Sequence, residues 1–273
     1  MKRLLTVQDL SCLGKCSLTV ALPILSAMGV ETAVLPTAVL STHTAFPSPY
    51  ARDMTPDILP VADHWQQIGA EFDGMYIGYL SSGRQVASVL ELVKRFPVDM
   101  LLVDPVMGDN GKLYDRIDAD HVQQLKALCA AADMIVPNLT EACALTDTPY
   151  RGSGDEAWLK DLLIKLTALG CGAALITGVP MADDTIGVAG YSRTSDRFFL
   201  CRQKRLPESY HGTGDAFAAV CAGAVCKGAE LQTAAQLAAD FTARCIRQTM
   251  EENRDKRYGL CFEKALPELW SLQ

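Results

Sequence analysis

Short apolar runs of β character alternate with longer stretches of helical period along most of this chain, and that alternation limits the fold more than any other feature. Strands are predicted over residues 4–8, 32–39, 74–77, 100–103, 134–136 and 173–177. Helices are predicted between them, over residues 17–28, 63–72, 85–95, 118–131 and 156–169. Repeated strand–helix–strand units of this kind build a parallel sheet with helices on both faces. Past residue 177 the pattern changes. Residues 185–192 and 197–204 read as two adjacent strands joined by a four-residue turn, hence an antiparallel edge, and helices over 213–226, 231–251 and 262–269 complete the chain. The expected class is α/β, with a mostly parallel central sheet, helices on both faces and an antiparallel edge.

A length of 273 residues suits one large α/β domain or two small ones. No Pro/Ser-rich linker divides the chain, so a single domain over 1–273 is expected. The Pro-dense stretch 46–60 holds four prolines and is read as a surface loop over a site. Net charge is −7 with no block of Lys or Arg, which argues against a general nucleic-acid binder. Lys2 and Arg3 precede an apolar run, but Gln8 and Asp9 end it too early for a signal peptide. Pro23 and Ser26 interrupt the most apolar stretch, 18–30, well short of the ~18 residues a membrane span needs. A cytoplasmic protein, neither exported nor embedded, is expected. The ten cysteines are scattered singly, with no Cys-x-x-Cys and no His at zinc spacing, and read as reduced thiols. Cys12 and Cys16 flank a candidate site loop and are read as small hydrophobes before reactive thiols.

In an open parallel sheet, ligands bind outside the carboxyl ends of the strands. The residues that follow the predicted strands are Asp9, then Ser41-Thr42-His43-Thr44, then Gly78-Tyr79, then Asp104 to Asp109, then Pro137-Asn138-Leu139-Thr140-Glu141, and last Thr177-Gly178. Helix N-caps explain one or two such polar ends. The whole set, with acids converging on an Asn and a Glu, suggests a site for Mg²⁺ and phosphate, because Mg²⁺ takes oxygen ligands and is usually held by one or two carboxylates, water and substrate phosphates.

The sharpest motif is His211-Gly212-Thr213-Gly214-Asp215 at the start of a predicted helix. Two glycines let the backbone approach an anion, and consecutive N–H groups at a helix start can cradle it. Thr213 adds a hydroxyl, and Asp215 lies in the first turn beside that hole. Phosphoryl transfer from a nucleotide to an alcohol needs such a pairing, with donors for the transferring group and a carboxylate to receive the alcohol proton. An acid satisfying the helix dipole would explain the Asp alone, though not the strand-end set beside it. Gly14-Lys15 is no P-loop, since Asp9 stands where the first glycine is required. His64 and His121 lie in polar helical surroundings and read as solvated.

Over nearly its whole length the chain resembles the ribokinase-like superfamily, in its branch of pyridoxal and hydroxymethylpyrimidine kinases. The resemblance rests on Asp104-Pro105-Val106-Met107-Gly108, on Pro137-Asn138-Leu139-Thr140-Glu141, on Gly212 to Asp215, and on Tyr258-Gly259-Leu260-Cys261-Phe262-Glu263. It implies that Asp215 deprotonates a substrate hydroxymethyl group and that Gly212, Thr213 and Gly214 hold the transferring phosphoryl group. It implies too that Asp104, Asn138 and Glu141 organise Mg²⁺ and the phosphates of ATP, with Asp104 and Glu141 bearing on the metal partly through water. Thr177 and the strand end at 202–205, Lys204 included, would lie along the nucleotide. A homodimer without a separate lid domain is the expected assembly, and any monovalent-cation requirement stays open.

The substrate end mixes two patterns. His43, Thr44 and Tyr79 lie in segments similar to those that surround the ring in pyridoxal kinases, and Asp9 and Ser11 join them as candidates with Asp215. Asp215 favours that branch, since hydroxymethylpyrimidine kinases usually carry Cys there. His211 is reminiscent of the pyrimidine kinases, and Asp9 stands where pyridoxal kinases commonly carry a Ser. An Asp beside the ring can pair with a protonated ring nitrogen or a vitamer amine, so pyridoxamine or pyridoxine is expected to be handled better than pyridoxal. Kinases of hydroxymethylpyrimidine or of sugars, and a vitamer-binding protein without turnover, are the alternatives; the intact base and anion hole weigh against the last.

Overall fold

The computed structural model describes residues 1–181 and 184–270. In chain order the elements are β1 (Arg3–Leu13), α1 (Leu18–Ala27), β2 (Glu31–Thr42), β3 (Ala51–Asp53), α2 (Thr55–Gln67), β4 (Gly74–Ile77), α3 (Gly83–Arg95), β5 (Met100–Val103), β6 (Gly108–Asp109) and β7 (Lys112–Leu113). There follow α4 (Ala119–Ala130), β8 (Met134–Ile135), α5 (Leu139–Leu145), α6 (Glu156–Ala168), β9 (Ala173–Pro180), β10 (Thr185–Ser192), β11 (Arg197–Lys204), α7 (Thr213–Cys226), α8 (Leu231–Glu251) and α9 (Leu266–Trp270), with a 3₁₀ turn over Lys256–Tyr258.

The main sheet has the order β11-β10-β9-β8-β5-β4-β1-β2-β3. Pairing is parallel from β9 through to β2. Both margins are antiparallel, β10–β11 on one side and β3 on the other. Side chains alternate between two cores, as the period of two along a strand requires. Leu5, Val7, Met75, Ile77, Leu101 and Val103 face one core, completed by α2 to α6. Leu4, Tyr76, Met100 and Leu102 face the other, completed by α1, α7, α8 and α9. Two buried faces account for strands that read as continuous apolar runs.

Strand order reverses at β1, which has β2 on one side and β4 on the other. A crevice at the carboxyl ends of these strands is where an open α/β sheet binds its ligands. The ladder then sets the strand ends side by side. Gly78 N–H donates to the Val7 carbonyl at 3.0 Å, Asp104 to Ile77 at 2.8 Å, Val136 to Val103 at 2.9 Å and Thr177 to Pro137 at 2.9 Å. The register of β1 on β2 shifts between Gln8 and Leu10, placing a bulge at Asp9. Bulges bend a strand and re-aim a side chain, often next to a site.

Several boundaries differ from the sequence expectation. The Pro-dense stretch is a loop only as far as Tyr50; beyond it lie β3 and α2, and the helix expected over 63–72 spans Thr55–Gln67 instead. Pro56 falls in the first turn, where its missing N–H costs nothing, and Asp53 fastens that turn by accepting from Thr55 N at 2.9 Å. Pro60 is carried inside the helix because Ile58 and Ala62 seat it on the core. Gly69, at φ 66°, stops the helix before 72. At the chain's end, α9 covers only the second half of the helix expected over 262–269.

Candidate active site

Asp215 lies in the first turn of α7, and Gly212 bends the chain into it at φ 84°, a conformation that favours glycine. A Cβ on Gly212 would fall 2.6 Å from the Lys15 carbonyl oxygen, so close backbone approach requires glycine as well. The same carbonyl stands 2.7 Å from where a Cβ on Gly259 would lie. Three distant segments therefore meet here, tied further by Lys15 N–H to the Tyr258 carbonyl at 3.2 Å and Leu260 N–H to that of His211 at 3.0 Å. Around Gly214 the space is open, with nothing within 4 Å of a built Cβ. The Thr213 hydroxyl is turned back onto the Tyr210 carbonyl at 2.7 Å, and its N–H points there too at 3.4 Å. That leaves the Gly214 and Asp215 amides at the head of a 14-residue helix as donors for an anion.

Asp215 accepts from Ser17 N–H at 2.9 Å and from the Cys16 thiol at 3.4 Å, both on Oδ2. Oδ1 is left for a ligand. Burial raises the carboxyl above its ordinary range, and the Ser17 amide and Cys16 thiol pull part of that back. Ser17 holds φ 52° and ψ −123°, a region that side-chain-bearing residues rarely adopt. Its hydroxyl donates to Asp9 Oδ1 at 2.6 Å. Asp9, 5% exposed, also accepts from the Ser11 hydroxyl at 3.3 Å. Burial raises Asp9 to about 6, with the Asp215 charge adding to it and the two serine hydroxyls opposing. One strained residue thus holds two carboxylates, the buried Asp9 by its hydroxyl and the half-buried Asp215 by its amide. Sequence reasoning missed Ser17, because neither its backbone conformation nor its reach to residue 215 leaves a local pattern.

Across the row of strand ends, Asn138 and Glu141 form a capping box on α5. Asn138 Oδ1 accepts from Glu141 N at 3.0 Å, and Glu141 Oε2 accepts from Asn138 N at 2.8 Å. Glu141 Oε1 accepts from Met107 N at 3.0 Å, and Asn138 Nδ2 donates to the Gly108 carbonyl at 2.8 Å. The pair therefore pins the segment after β5 to the start of α5. Asp104, 7% exposed, accepts no hydrogen bond from the described residues. Burial, then the Glu141 and Asp215 charges, push it well above the carboxylate range. A buried carboxylate with no donor, beside two other acids, fits a divalent cation. Among the described residues no group of three acidic, His or Cys side chains could hold such an ion alone, so phosphate oxygens and water would complete the shell. Both Glu141 oxygens already accept backbone N–H groups, which suits contact through water.

The remaining candidates are spread more widely. Tyr79 follows β4, with its hydroxyl pushed up by burial and then by the Asp9 charge. His43 is buried, its Nε2 donating to the Arg257 carbonyl at 2.7 Å and its Nδ1 accepting from Ala45 N at 3.3 Å. With both nitrogens committed, His43 offers a ligand its ring surface, which is packed on His211 at 4.8 Å between centroids. Phe46 joins His43 at 5.2 Å and Tyr258 at 5.4 Å, so the early part of the Pro-dense loop lies against the 257–259 segment. Thr44 is exposed. Thr177 bridges to Asn138 in the sheet. Lys204 is exposed at the end of β11, opposite Thr185 and away from the Asp9–Ser17–Asp215 group.

A mostly parallel sheet covered on both faces, with the Gly212 bend and Asp215 opening α7 at its carboxyl edge, defines the ribokinase-like class. The chain belongs to the phosphomethylpyrimidine kinase family, whose model matches residues 25–258. A Bacteroides thetaiotaomicron protein described as a phosphomethylpyrimidine kinase, in a crystal form with pyridoxal, is 39% identical at TM-score 0.94, over 98% of this chain and 95% of its own. The pyridoxal kinase of Lactobacillus plantarum is 35% identical at TM-score 0.94, over 100% and 98%. The pyridoxal kinase of Leishmania donovani in complex with ADP and pyridoxamine shares the fold at TM-score 0.88, with 20% identity over 98% and 96%.

Proposed function

We propose that this chain is an ATP-dependent kinase that phosphorylates the 5'-hydroxymethyl group of a B6 vitamer. One observation carries the reading: among the described residues, the Asp215 carboxylate has one oxygen tied down and the other without a donor, and stands in the same helical turn as two unpartnered backbone amides. The acceptor alcohol binds against Asp215 Oδ1, which takes its proton as the oxygen attacks the terminal phosphorus of ATP. The Gly214 and Asp215 amides receive the charge on the transferring group. An oxygen held by the Ser17 amide cannot swing away, and a carboxyl raised by burial is a stronger base once ionised. Full-length similarity to a structure holding pyridoxal and to a pyridoxal kinase supports a B6 vitamer as acceptor, and the ADP complex of a protein of the same fold supports the nucleotide.

Magnesium belongs to the same reading. Asp104 would hold it directly and Glu141 through water, and a bound Mg²⁺ would neutralise phosphate charge. A cytoplasmic setting is supported by ten free thiols, eight of them buried. No helix among the described residues is long and apolar enough to cross a membrane. A homodimer is supported by Leu13, Val34 and Tyr50, large apolar side chains exposed on the β1–β2–β3 side, and light scattering would read it out.

The deciding experiment is ADP release from MgATP with pyridoxal, pyridoxine, pyridoxamine and hydroxymethylpyrimidine offered singly. Turnover with B6 forms and little with the pyrimidine is expected. Turnover with the pyrimidine alone would move the acceptor to the second reading, a hydroxymethylpyrimidine kinase, which the description of the family model favours. Silence with all four would refute both.

A further inference from the structure

We infer that Asp9 selects for an acceptor bearing a positive charge, the ammonium of the aminomethyl group that pyridoxamine carries on the ring carbon next to the one bearing its hydroxymethyl group. The inference rests on the kinase reading and deepens it. Asp9 is buried beside the base, since Ser17 touches Asp9 through its hydroxyl and Asp215 through its amide. The hydroxymethyl group that meets Asp215 therefore places the substituent of the adjacent ring carbon within reach of Asp9. No ion pair of Asp9 exists among the described residues, and its hydrogen bonds come from two neutral hydroxyls, Ser11 and Ser17. The groups facing it are Asp215 on α7, Cys16 and Ser17 at the start of α1, Ser11 on β1 and Tyr79 after β4, and none brings positive charge.

A buried anion with neutral donors and a second anion beside it is costly without a cation. An alkylammonium supplies one that stays protonated through neutral pH and donates directly to the carboxylate. The alcohol of pyridoxine and the aldehyde of pyridoxal carry no charge at that position. The bulge of β1 and the strained backbone of Ser17 both fix Asp9 at this point in the crevice. Serine at residue 17 keeps the strain and gains the hydroxyl that orients Asp9, which ties the distortion to the carboxylate.

The test is the ratio of kcat/KM for pyridoxamine to that for pyridoxine, in the wild type and in Asp9→Asn. A charge-assisted contact of this kind predicts a fall in the ratio of about 10- to 100-fold. A fall smaller than tenfold, or equal losses for both vitamers, would reduce Asp9 to a structural support for Ser17 and overturn the inference. Should Asp9→Asn not fold, wild-type binding without nucleotide decides. Pyridoxamine affinity must then weaken as pH falls through about 6, where Asp9 takes up its proton, while pyridoxine affinity does not; parallel curves would overturn it. A wild type that turns over no B6 form refutes the reading of a B6 vitamer as acceptor, whereas activity on both vitamers with an unmoved ratio refutes only this inference.

Discussion

At the scale of single residues, Asp215 and Gly212 do different work in one turn, and substitutions separate them. Asp215→Asn keeps the size of the side chain and its contact with Ser17 N–H but cannot take the alcohol proton. The expected result is a fall in kcat of about 10²–10⁴-fold, with nucleotide affinity measured by calorimetry nearly unchanged. Retained turnover would remove Asp215 from the role of base. Gly212→Ala acts on the backbone. At φ 84° the new Cβ would face the Lys15 carbonyl at 2.6 Å, a main-chain atom that cannot rotate aside. The strain predicts a loss of more than ~1 kcal/mol, seen as a lower Tm together with lost activity. A variant as stable as the wild type would show that the convergence of residues 15, 212 and 259 can yield.

At the scale of elements, α5 shows how a short helix can organise a site. Its seven residues are too few for a helical period to stand out, and it starts because Asn138 and Glu141 cap it reciprocally. Asn138→Ala removes that cap and the bond to the Gly108 carbonyl. The expected cost is about 1–2 kcal/mol by urea denaturation, with faster hydrogen exchange at the Glu141 amide than at amides of α4. Unchanged exchange would mean that burial of Leu139 and Ala142 holds α5 unaided. The same contrast explains what the sequence made legible. Longer helices announced themselves by period and the buried strands as short apolar runs. Asp104 and Asn138 stood out by following strands, whereas Asp9 and Thr177 followed the predicted strands but lie inside β1 and β9, which run on past them. Hidden elements were those with weak or conflicting local signals: β3 and the first half of α2, among prolines, and the two-residue strands β6 and β7. Within the site, Ser17 was hidden, and Cys16 was placed beside a site loop without its contact to Asp215, because that partner is about two hundred residues away.

At the scale of the whole molecule, the site stores a cost that the rest of the fold must offset, and pH exposes it. Asp9 moves from the ordinary 3.8 to about 6 on folding, so between those values the folded state binds more protons than the unfolded one. Stability must therefore fall as pH rises through that window. Below 3.8 both states are protonated and the penalty vanishes; above 6 it is complete, at about 3 kcal/mol for a shift of this size. Asp9→Asn removes the ionisation and leaves any change in hydrogen bonding independent of pH. Denaturant midpoints should thus show the variant gaining on the wild type from pH 4 to pH 8, by up to that amount. A difference constant across the range would place the destabilising charge elsewhere among the buried acids. Binding provides the complementary check, because a ligand stabilises only the state that it prefers. If an ammonium group neutralises Asp9, saturating pyridoxamine should raise the wild-type Tm at pH 8 more than that of Asp9→Asn, and pyridoxine should not separate the two. Stability without ligand and selectivity with it are then opposite readings of one buried carboxylate.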